Sequence, residues 1–363
     1  MKPPREPASA ARRRAVRGLG AAAVGMTLGS LHTAASAASA RASNTDAARK
    51  SGPVPDSDIQ CASAARLFVD RFCQTGAALD NDNGNIWHTE SLGVSMLAAA
   101  AVKDERLFAL LDGQARSVRR PDGLHSWKVQ GGKVADSNNA TDGDLFIAWA
   151  YLQAARAFPG ARVMHLHAAD ELLAAIQKHC VRSTAHGQVL LPGIEGFIDG
   201  EGAVRTINLS YWVYPALQAF VQHDRKGPWP ALIESGRKIT TFAYFGDHAL
   251  PPDWLELSKP VKPDSRLSNR FSYDAMRIPL YLHLAGMGSH PAVARCLKFF
   301  TRTGKTWADL LSGELSPYGI DPSAEVIVRQ LRATRTQPAT LRTFPTKYYP
   351  ASLAVLAEMP VCG

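Results

Sequence analysis

Asp142 and Asp144 are the first residues of the sequence that invite a chemical interpretation. They stand two positions apart in NNATDGDLFIAWAYLQAARAF (138–158), and no further carboxylate follows in this largely apolar segment. Such a pair could cap a helix, bind a cation or take part in acid–base chemistry. The spacing favours a cap, because Thr141 and Asp144 fit the capping-box pattern. Asp142 then lies in the first helical turn, where the helix dipole favours its ionised form.

The pattern fits a metal site poorly. Aligned with a calcium loop, Ala140 occupies a position that needs an oxygen ligand, and Trp149 stands where a bidentate glutamate is required. The chain has five cysteines, at positions 61, 73, 180, 296 and 362. Because none of them forms a CxxC pair, the sequence does not predict a zinc site.

The elements that must position these acids are helical along most of the chain. Apolar residues recur at helical spacing in segments 59–74, 90–101, 105–116, 143–157, 162–179, 212–223, 230–244, 272–286, 290–302 and 349–357. Residues 188–207 differ, since β-branched residues flank an Asp199-Gly200-Glu201-Gly202 turn, and this predicts a small hairpin. Residues 58–363 show no break in composition, which predicts one all-α domain. Periodicity alone leaves a toroid of helical hairpins, a bundle and an irregular superhelix open.

The amino-terminal residues predict an export signal. Arginines at 12, 13, 14 and 17 precede a modest apolar segment, and small residues follow at 35–40. We expect a signal peptide in residues 1–40, a polar linker in 41–57 and a periplasmic or secreted mature protein. The arginine pair favours the twin-arginine route, and Sec export stays open. In an oxidising compartment, Cys61 and Cys362 could join the ends of the mature chain.

Composition excludes several function classes. A hydrophobic fraction of 46% and a charged fraction of 20% are typical of a globular protein, and no apolar stretch is long enough to span a bilayer. Residues 1–40 contain six basic residues and one acid, so their removal lowers the net charge from +9 to +4. The remaining chain has no basic cluster with interleaved aromatic residues, so we expect no nucleic-acid partner.

The segment around Asp142 resembles the signature of glycoside hydrolase family 8, inverting enzymes that cut β-1,4-linked glucans and related polymers. One position departs from the pattern, since Tyr151 stands where an aliphatic residue is usual. Other similar blocks follow in the family's order: Leu190-Leu191-Pro192-Gly193, Gly196-Phe197, Asn208-x-Ser210-Tyr211, Pro252-Asp253-Trp254, Ser272-Tyr273-Asp274-Ala275-x-Arg277 and Tyr348-Tyr349. They most resemble the periplasmic cellulases that accompany bacterial cellulose synthesis.

This resemblance implies a role for each of three acids. Glu90 matches the general acid, and Asp274 matches the catalytic base. Asp142 matches the carboxylate that hydrogen-bonds the sugar beside the broken bond. Arg277 lies three residues after Asp274, where its charge favours the ionised base. Residues 91–95 depart from the family's usual run, which bears on the shape of the subsites and on the preferred substrate.

The resemblance also implies substrate-binding residues and a fold. Tyr211 and Tyr273 match tyrosines that line the same subsite, although a core position would suit either residue as well. Trp127, in a loop rich in Gly, His and Ser, is a candidate sugar-stacking residue, whereas Trp149 is flanked by apolar helix residues. The family's fold is an (α/α)6 barrel, and its chemistry needs no metal or organic cofactor. We expect a monomer that works alongside a cellulose synthase system.

Other functions remain open on sequence alone. A chitosanase of the same fold would need extra acids in its cleft, which Glu195, Asp199 or Glu201 could supply. A xylanase would differ in the groups that bind the polymer. A helical toroid that binds polysaccharide without cutting it could lose any of the three acids, yet all three are present.

Overall fold

The computed structural model describes residues 64–333 and 343–359, and eleven α-helices form nearly half of this part of the chain. In chain order they are α1 (Ala64–Phe72), α2 (Thr89–Ala101), α3 (Glu105–Ser117), α4 (Thr141–Ala157), α5 (Arg162–Cys180), α6 (Tyr214–His223), α7 (Trp229–Phe242), α8 (Arg277–Leu284), α9 (Pro291–Thr303), α10 (Pro322–Arg332) and α11 (Tyr348–Glu358). The predicted signal peptide and linker lie outside the described residues, as do Cys61 and Cys362. The bridge between these cysteines therefore stays a prediction.

Each of the ten predicted helical segments contains a helix, with two differences from the prediction. Helix α8 begins at Arg277 rather than near residue 272, because residues 272–276 form a turn held by Asp253. Helix α10 was not predicted, although Asp321 followed by Pro322 is a helix-start signal.

Helices α2 and α4 lie at the centre of the molecule and pack along their length. Residues 89–100 of α2 and 141–152 of α4 are all buried. Two glycines permit this close approach. A Cβ on Gly143 would lie 2.0 Å from Thr89 Oγ1, and a Cβ on Gly93 would lie 2.5 Å from Phe146 Cβ. The first turns of α2 and α4 are therefore neighbours.

The other helices pack mostly as sequential pairs. Helix α3 packs on α2, and α5 packs on α4. In the same way, α6 packs on α7, α8 on α9 and α10 on α11. Helix α11 also packs on α1, so the first and last described helices touch. One large apolar core runs through all eleven of these helices, and Leu191, Phe197 and Trp254 form a second, smaller cluster outside it.

In the described part of the chain, ten short antiparallel strands form four small sheets between the helices. One three-stranded sheet contains β1 (Trp87–His88), β2 (Lys128–Gln130) and β3 (Lys133–Asp136). The other contains β6 (Thr206–Ile207), β7 (Leu255–Glu256) and β8 (Lys262–Pro263). The two-stranded sheets are β4 (Val181–Thr184) with β5 (Gly187–Leu190) and β9 (Arg270–Phe271) with β10 (Ala308–Asp309).

The structure differs from the predicted hairpin in its strand pairing. The hairpin of this region is β4 with β5, and only a bridge between Ile198 and Val204 flanks the predicted turn. Strand β6 pairs with β7 instead. Side-chain packing accounts for this pairing. Phe197 stacks on Trp254 with ring centroids 5.7 Å apart, and this contact holds the chain before β6 against the loop before β7.

Candidate active site

Four charged residues from distant parts of the chain meet at one buried cluster. Glu90 and Asp142 lie in the first turns of α2 and α4, Asp274 lies in the turn before α8, and Arg277 is the first residue of α8. Their exposed fractions are 6% for Glu90, 0% for Asp142, 5% for Asp274 and 2% for Arg277. The structure thus brings together the three predicted acids and the predicted arginine.

Arg277 contacts all three carboxylates. Its Nη1 lies 3.0 Å from Glu90 Oε2 and 3.6 Å from Asp142 Oδ2, and its Nη2 lies 2.6 Å from Asp274 Oδ1. Nη2 also donates to Ser210 Oγ at 3.0 Å. Glu90 and Asp274 therefore face each other across one guanidinium group.

The neighbours of Arg277 keep its guanidinium group protonated by raising its pKa. Burial alone would lower its pKa, but the negative charges of Glu90 and Asp274, with Tyr281 and Tyr349 nearby, raise the pKa well above its usual value. One positive charge thus balances only part of the charge of three carboxylates. The guanidinium group thus joins three carboxyl groups from different parts of the chain in one buried cluster.

The start of α2 is fixed by a cap and by a neighbouring strand. His88 is the N-cap residue, and its Nδ1 accepts from the Ser91 backbone N–H at 3.1 Å while Ser91 Oγ accepts from the His88 backbone N–H at 3.1 Å. The Thr89 backbone N–H donates to the Trp127 carbonyl at 2.9 Å. Trp127 and Glu90 are therefore held next to each other.

The cluster opens into a cleft of about 460 Å³. Of the predicted site residues, Glu90, Asp274, Arg277, Tyr273 and Trp127 line it. The other lining residues are Asp80, Asp82, Asn83, His88, Tyr318, Gly319, Ile320, Asp321, Pro322, Ser323, Lys347, Tyr348, Tyr349 and Pro350. Carboxyl groups and aromatic rings on one open cleft suit an elongated polar ligand that reacts by proton transfer.

Two predicted site residues lie behind this surface. Asp142 and Tyr211 are not among the lining residues, and Tyr211 is 2% exposed with its ring 6.4 Å from that of Trp254. Asp142 Oδ1 accepts from the Gly143 backbone N–H at 2.9 Å. Their predicted roles in holding a sugar stay predictions.

Tyr273 forms part of the cleft wall. Its hydroxyl donates to Asp321 Oδ2 at 2.8 Å and lies 3.1 Å from the hydroxyl of Tyr318. Burial, followed by the charge of Asp321, raises the pKa of Tyr273 well above its usual value. The phenol therefore stays neutral and keeps a proton to donate.

Sequence reasoning missed several cleft residues. The most informative is Asp321, which caps α10 by accepting from the backbone N–H groups of Ser323 and Ala324 at 3.0 Å. Its capping pattern was a usable signal, but nothing local indicated that it would also contact Tyr273. Asp80, Asp82, His88 and Lys347 were missed for the same reason, since only the fold brings these residues to the cleft.

The expected capping role of Asp144 is wrong. Helix α4 has Ala140 at its N-cap and no side-chain cap. Asp144 Oδ1 instead accepts from the His125 backbone N–H at 3.1 Å and lies 2.8 Å from His125 Nδ1, while Oδ2 accepts from Asn139 Nδ2 at 3.0 Å. This buried carboxylate fixes the loop before β2, and that loop carries Trp127.

Within residues 64–333 and 343–359, no group of three or more His, Cys, Asp or Glu side chains could hold a metal ion. In the same ranges, no helix is long and apolar enough to cross a membrane. The cysteines in this part of the chain, Cys73, Cys180 and Cys296, are free and buried. Burial raises the pKa of Cys73 to about 11, which makes a poor nucleophile of its thiol.

Comparison with known proteins shows which family this chain resembles. The profile described as "Glycosyl hydrolases family 8" matches residues 61–356. An endoglucanase of Cellulomonas uda is 32% identical over 265 residues, covering 69% of this chain and 72% of the relative. A probable endoglucanase of Novacetimonas hansenii is 30% identical over 317 residues, which cover 84% of this chain and 91% of the relative.

A solved structure has the same fold. The crystal structure of an endoglucanase from Komagataeibacter sucrofermentans aligns with a TM-score of 0.74 at 31% sequence identity. The alignment covers 82% of this chain and 98% of the solved one.

Proposed function

The chain belongs to glycosyl hydrolase family 8, and we propose that it is an endo-acting enzyme that cleaves cellulose-type β-1,4-glucan with inversion of configuration. The observation that carries this proposal is the pair of carboxyl groups, Glu90 and Asp274, that meet across Arg277 on an open cleft. An inverting glycosidase needs two such groups and no cofactor. The names of the relatives support the substrate class.

The two carboxyl groups take different roles. Glu90 donates its proton to the glycosidic oxygen as the bond from that oxygen to the anomeric carbon breaks. Asp274 accepts a proton from a water molecule, whose oxygen attacks the anomeric carbon from the opposite face. Arg277 Nη2 donates to Asp274 Oδ1 at 2.6 Å and holds the side chain of the proposed base in place.

The other predicted residues hold the chain being cut. Asp142 hydrogen-bonds the sugar beside the broken bond, and Tyr211 and Tyr273 contact the same sugar. The indole of Trp127 lines the cleft next to the start of α2 and offers an apolar face to a pyranose ring. Substrate entry requires small shifts at Asp142 and Tyr211, because both are buried.

We further propose that the helices form the (α/α)6 barrel of the family. The sequential packing of helix pairs and the contact between α11 and α1 support a closed ring. The small β4–β5 hairpin and the other short sheets then lie between helices as insertions. The first turns of α2 and α4 contribute Glu90 and Asp142 to one end of such a ring.

An activity assay tests the substrate class. Protein lacking residues 1–40 should release reducing ends from carboxymethylcellulose or mixed-linkage β-glucan, and adding EDTA should not change the rate. Because an endo-acting enzyme cuts internally, viscosity should fall early in the reaction. Activity confined to xylan would contradict the proposal.

Chitosan is the alternative substrate that a specific observation favours. Asp80, Asp82 and Asp321 line the cleft, where their carboxylates could pair with the amino groups of glucosamine. The acids that the sequence predicts for this role, Glu195, Asp199 and Glu201, are not among the lining residues. The lining acids already have partners: Asp82 pairs with Lys347 at 2.6 Å, and Asp321 accepts from Tyr273. Activity on chitosan alone would replace the cellulase assignment.

For the setting of the enzyme, we propose export to the periplasm or beyond, a monomeric state and action alongside a cellulose synthase system. The arginine-rich start followed by an apolar segment and small residues supports export. The resemblance to cellulases that accompany cellulose synthesis supports the association. Size-exclusion chromatography with light scattering tests the monomer, and a stable dimer would contradict it.

A further inference from the structure

A second buried carboxylate, Asp253, lies directly behind the proposed base. Asp253 is 2% exposed and belongs to the loop that leads into β7, 21 positions before Asp274. Its backbone N–H donates to the Arg270 carbonyl at 2.7 Å, which joins the two loops. Asp274 lines the cleft and Asp253 does not, so a sugar in the cleft would meet only Asp274.

The hydrogen bonds that the Asp253 carboxylate accepts all come from residues 268–275, the segment that carries Asp274. Oδ1 accepts from the backbone N–H groups of Ser272 at 2.8 Å and Ala275 at 2.9 Å. Oδ2 accepts from the hydroxyls of Ser272 and of Ser268, the latter at 3.2 Å. The residues that flank Asp274 on both sides are thus tied to one carboxylate.

These contacts explain why Asp274 lies in a turn. The two backbone N–H groups that converge on Oδ1 fix the curvature of residues 272–275, and helix α8 can begin only after them. The side chain of Asp274 is then held on its other side by Arg277 Nη2 at 2.6 Å. Asp253 therefore sets the backbone from which Asp274 reaches the cleft.

We infer that Asp253 is a positioning residue for the reaction, which acts by holding the turn that aims Asp274 at the attacking water. The inference rests on the proposed role of Asp274 as base. Two like charges close together are costly, and burial, followed by the charge of Asp274, raises the pKa of Asp253 to about 7. A carboxylate that served packing alone would be placed more favourably away from a second one.

A double-variant experiment tests this inference. We expect Asp253→Asn to lower kcat by about 10- to 100-fold with KM changed less than about threefold, since a displacement of the base by about 1 Å can cost about 100-fold. In an Asp274→Asn background, the same substitution should lower the residual kcat by no more than about threefold, because no base is left to misplace.

Asp264→Asn is the matched control. Asp264 is also buried, and its carboxylate also accepts four hydrogen bonds, from Thr206 Oγ1 and from the backbone N–H, Nε and Nη2 of Arg266. Asp264 does not contact Ser272 or Ala275. The substitution Asp264→Asn should therefore change kcat little, and by the same factor in the wild type and in the Asp274→Asn variant. An equal loss from Asp253→Asn in both backgrounds, or an unchanged kcat in the folded variant, would overturn the inference.

A milder variant covers the case in which Asp253→Asn does not fold. Ser272→Ala removes one hydroxyl donor and leaves both backbone contacts, so it should fold and lower kcat by about three- to tenfold, again only when Asp274 is present. No loss from a folded Ser272→Ala would then overturn the inference. Full activity of Asp274→Asn alone would contradict the base assignment itself, and the inference would fall with it.

Discussion

At the scale of single residues, the roles of Glu90 and Asp274 can be separated although both contact Arg277. In the proposed mechanism, Glu90 delivers a proton to the leaving group, whereas Asp274 accepts one from water. Glu90 is held in the first turn of α2 and Asp274 in the turn before α8, and Arg277 contacts both. Kinetics of single variants therefore distinguish the two roles.

Glu90→Gln and Asp274→Asn should each lower kcat on β-glucan by on the order of 100-fold or more, because each removes one proton-transfer group. Aryl oligosaccharides with a good leaving group need little protonation, so they should partly rescue Glu90→Gln and not Asp274→Asn. Steady-state kinetics on both substrate types measures this. Glu195→Gln, an exposed acid outside the cleft lining, is the control and should match the wild type. Equal rescue of both variants would show that the two roles are misassigned.

At the scale of elements, the site depends on how closely α2 and α4 approach. The contact between Gly143 and Thr89 places Glu90 and Asp142 on adjacent first turns. Any side chain at residue 143 would separate the helices. The geometry of the acids is therefore sensitive to a residue that has no chemistry of its own.

Gly143→Ala should lower the free energy of unfolding by about 1–3 kcal/mol, the usual cost of overpacking, and should lower kcat as well. Its added Cβ would lie 2.0 Å from Thr89 Oγ1. Gly113→Ala in α3 is the control, because a Cβ there has no neighbouring atom within 4 Å. Alanine is favoured over glycine in a helix by about 0.5–1 kcal/mol, so this variant should be at least as stable as the wild type. Denaturant unfolding and kcat of both variants check this, and a fully stable, active Gly143→Ala would contradict it.

Local patterns predicted most helices and little of the site's surroundings. Helical periodicity located ten segments, most clearly helices such as α3 and α9 that bury one face in the core. The turn at Asp274 could not be predicted that way, since it depends on hydrogen bonds to Asp253, 21 positions earlier. The local pattern predicts a cap at Asp144, but the actual partner, His125, is 19 positions away in sequence and leaves no local signal. Family resemblance, rather than periodicity, brought Glu90, Asp142 and Asp274 into one candidate site.

At the scale of the whole molecule, the export prediction concerns residues that the structure does not describe. A fusion of residues 1–45 to a reporter that is active only after export should become active, because the segment has the three parts of an export signal. Replacing Arg12 and Arg13 by lysine should block export if the twin-arginine route is used. A reporter that stays in the cytoplasm would contradict the proposed compartment and, with it, the bridge between Cys61 and Cys362.

The central claim is that one catalytic domain cuts β-1,4-glucan with inversion, using Glu90 as acid and Asp274 as base. Proton NMR of the first products, recorded before the anomers equilibrate, measures the stereochemistry directly. Inversion requires the new reducing end to appear as the α-anomer, because water attacks the face opposite the leaving group. Initial release of the β-anomer would mean retention, and it would contradict the assignment of Asp274 as a base that activates water.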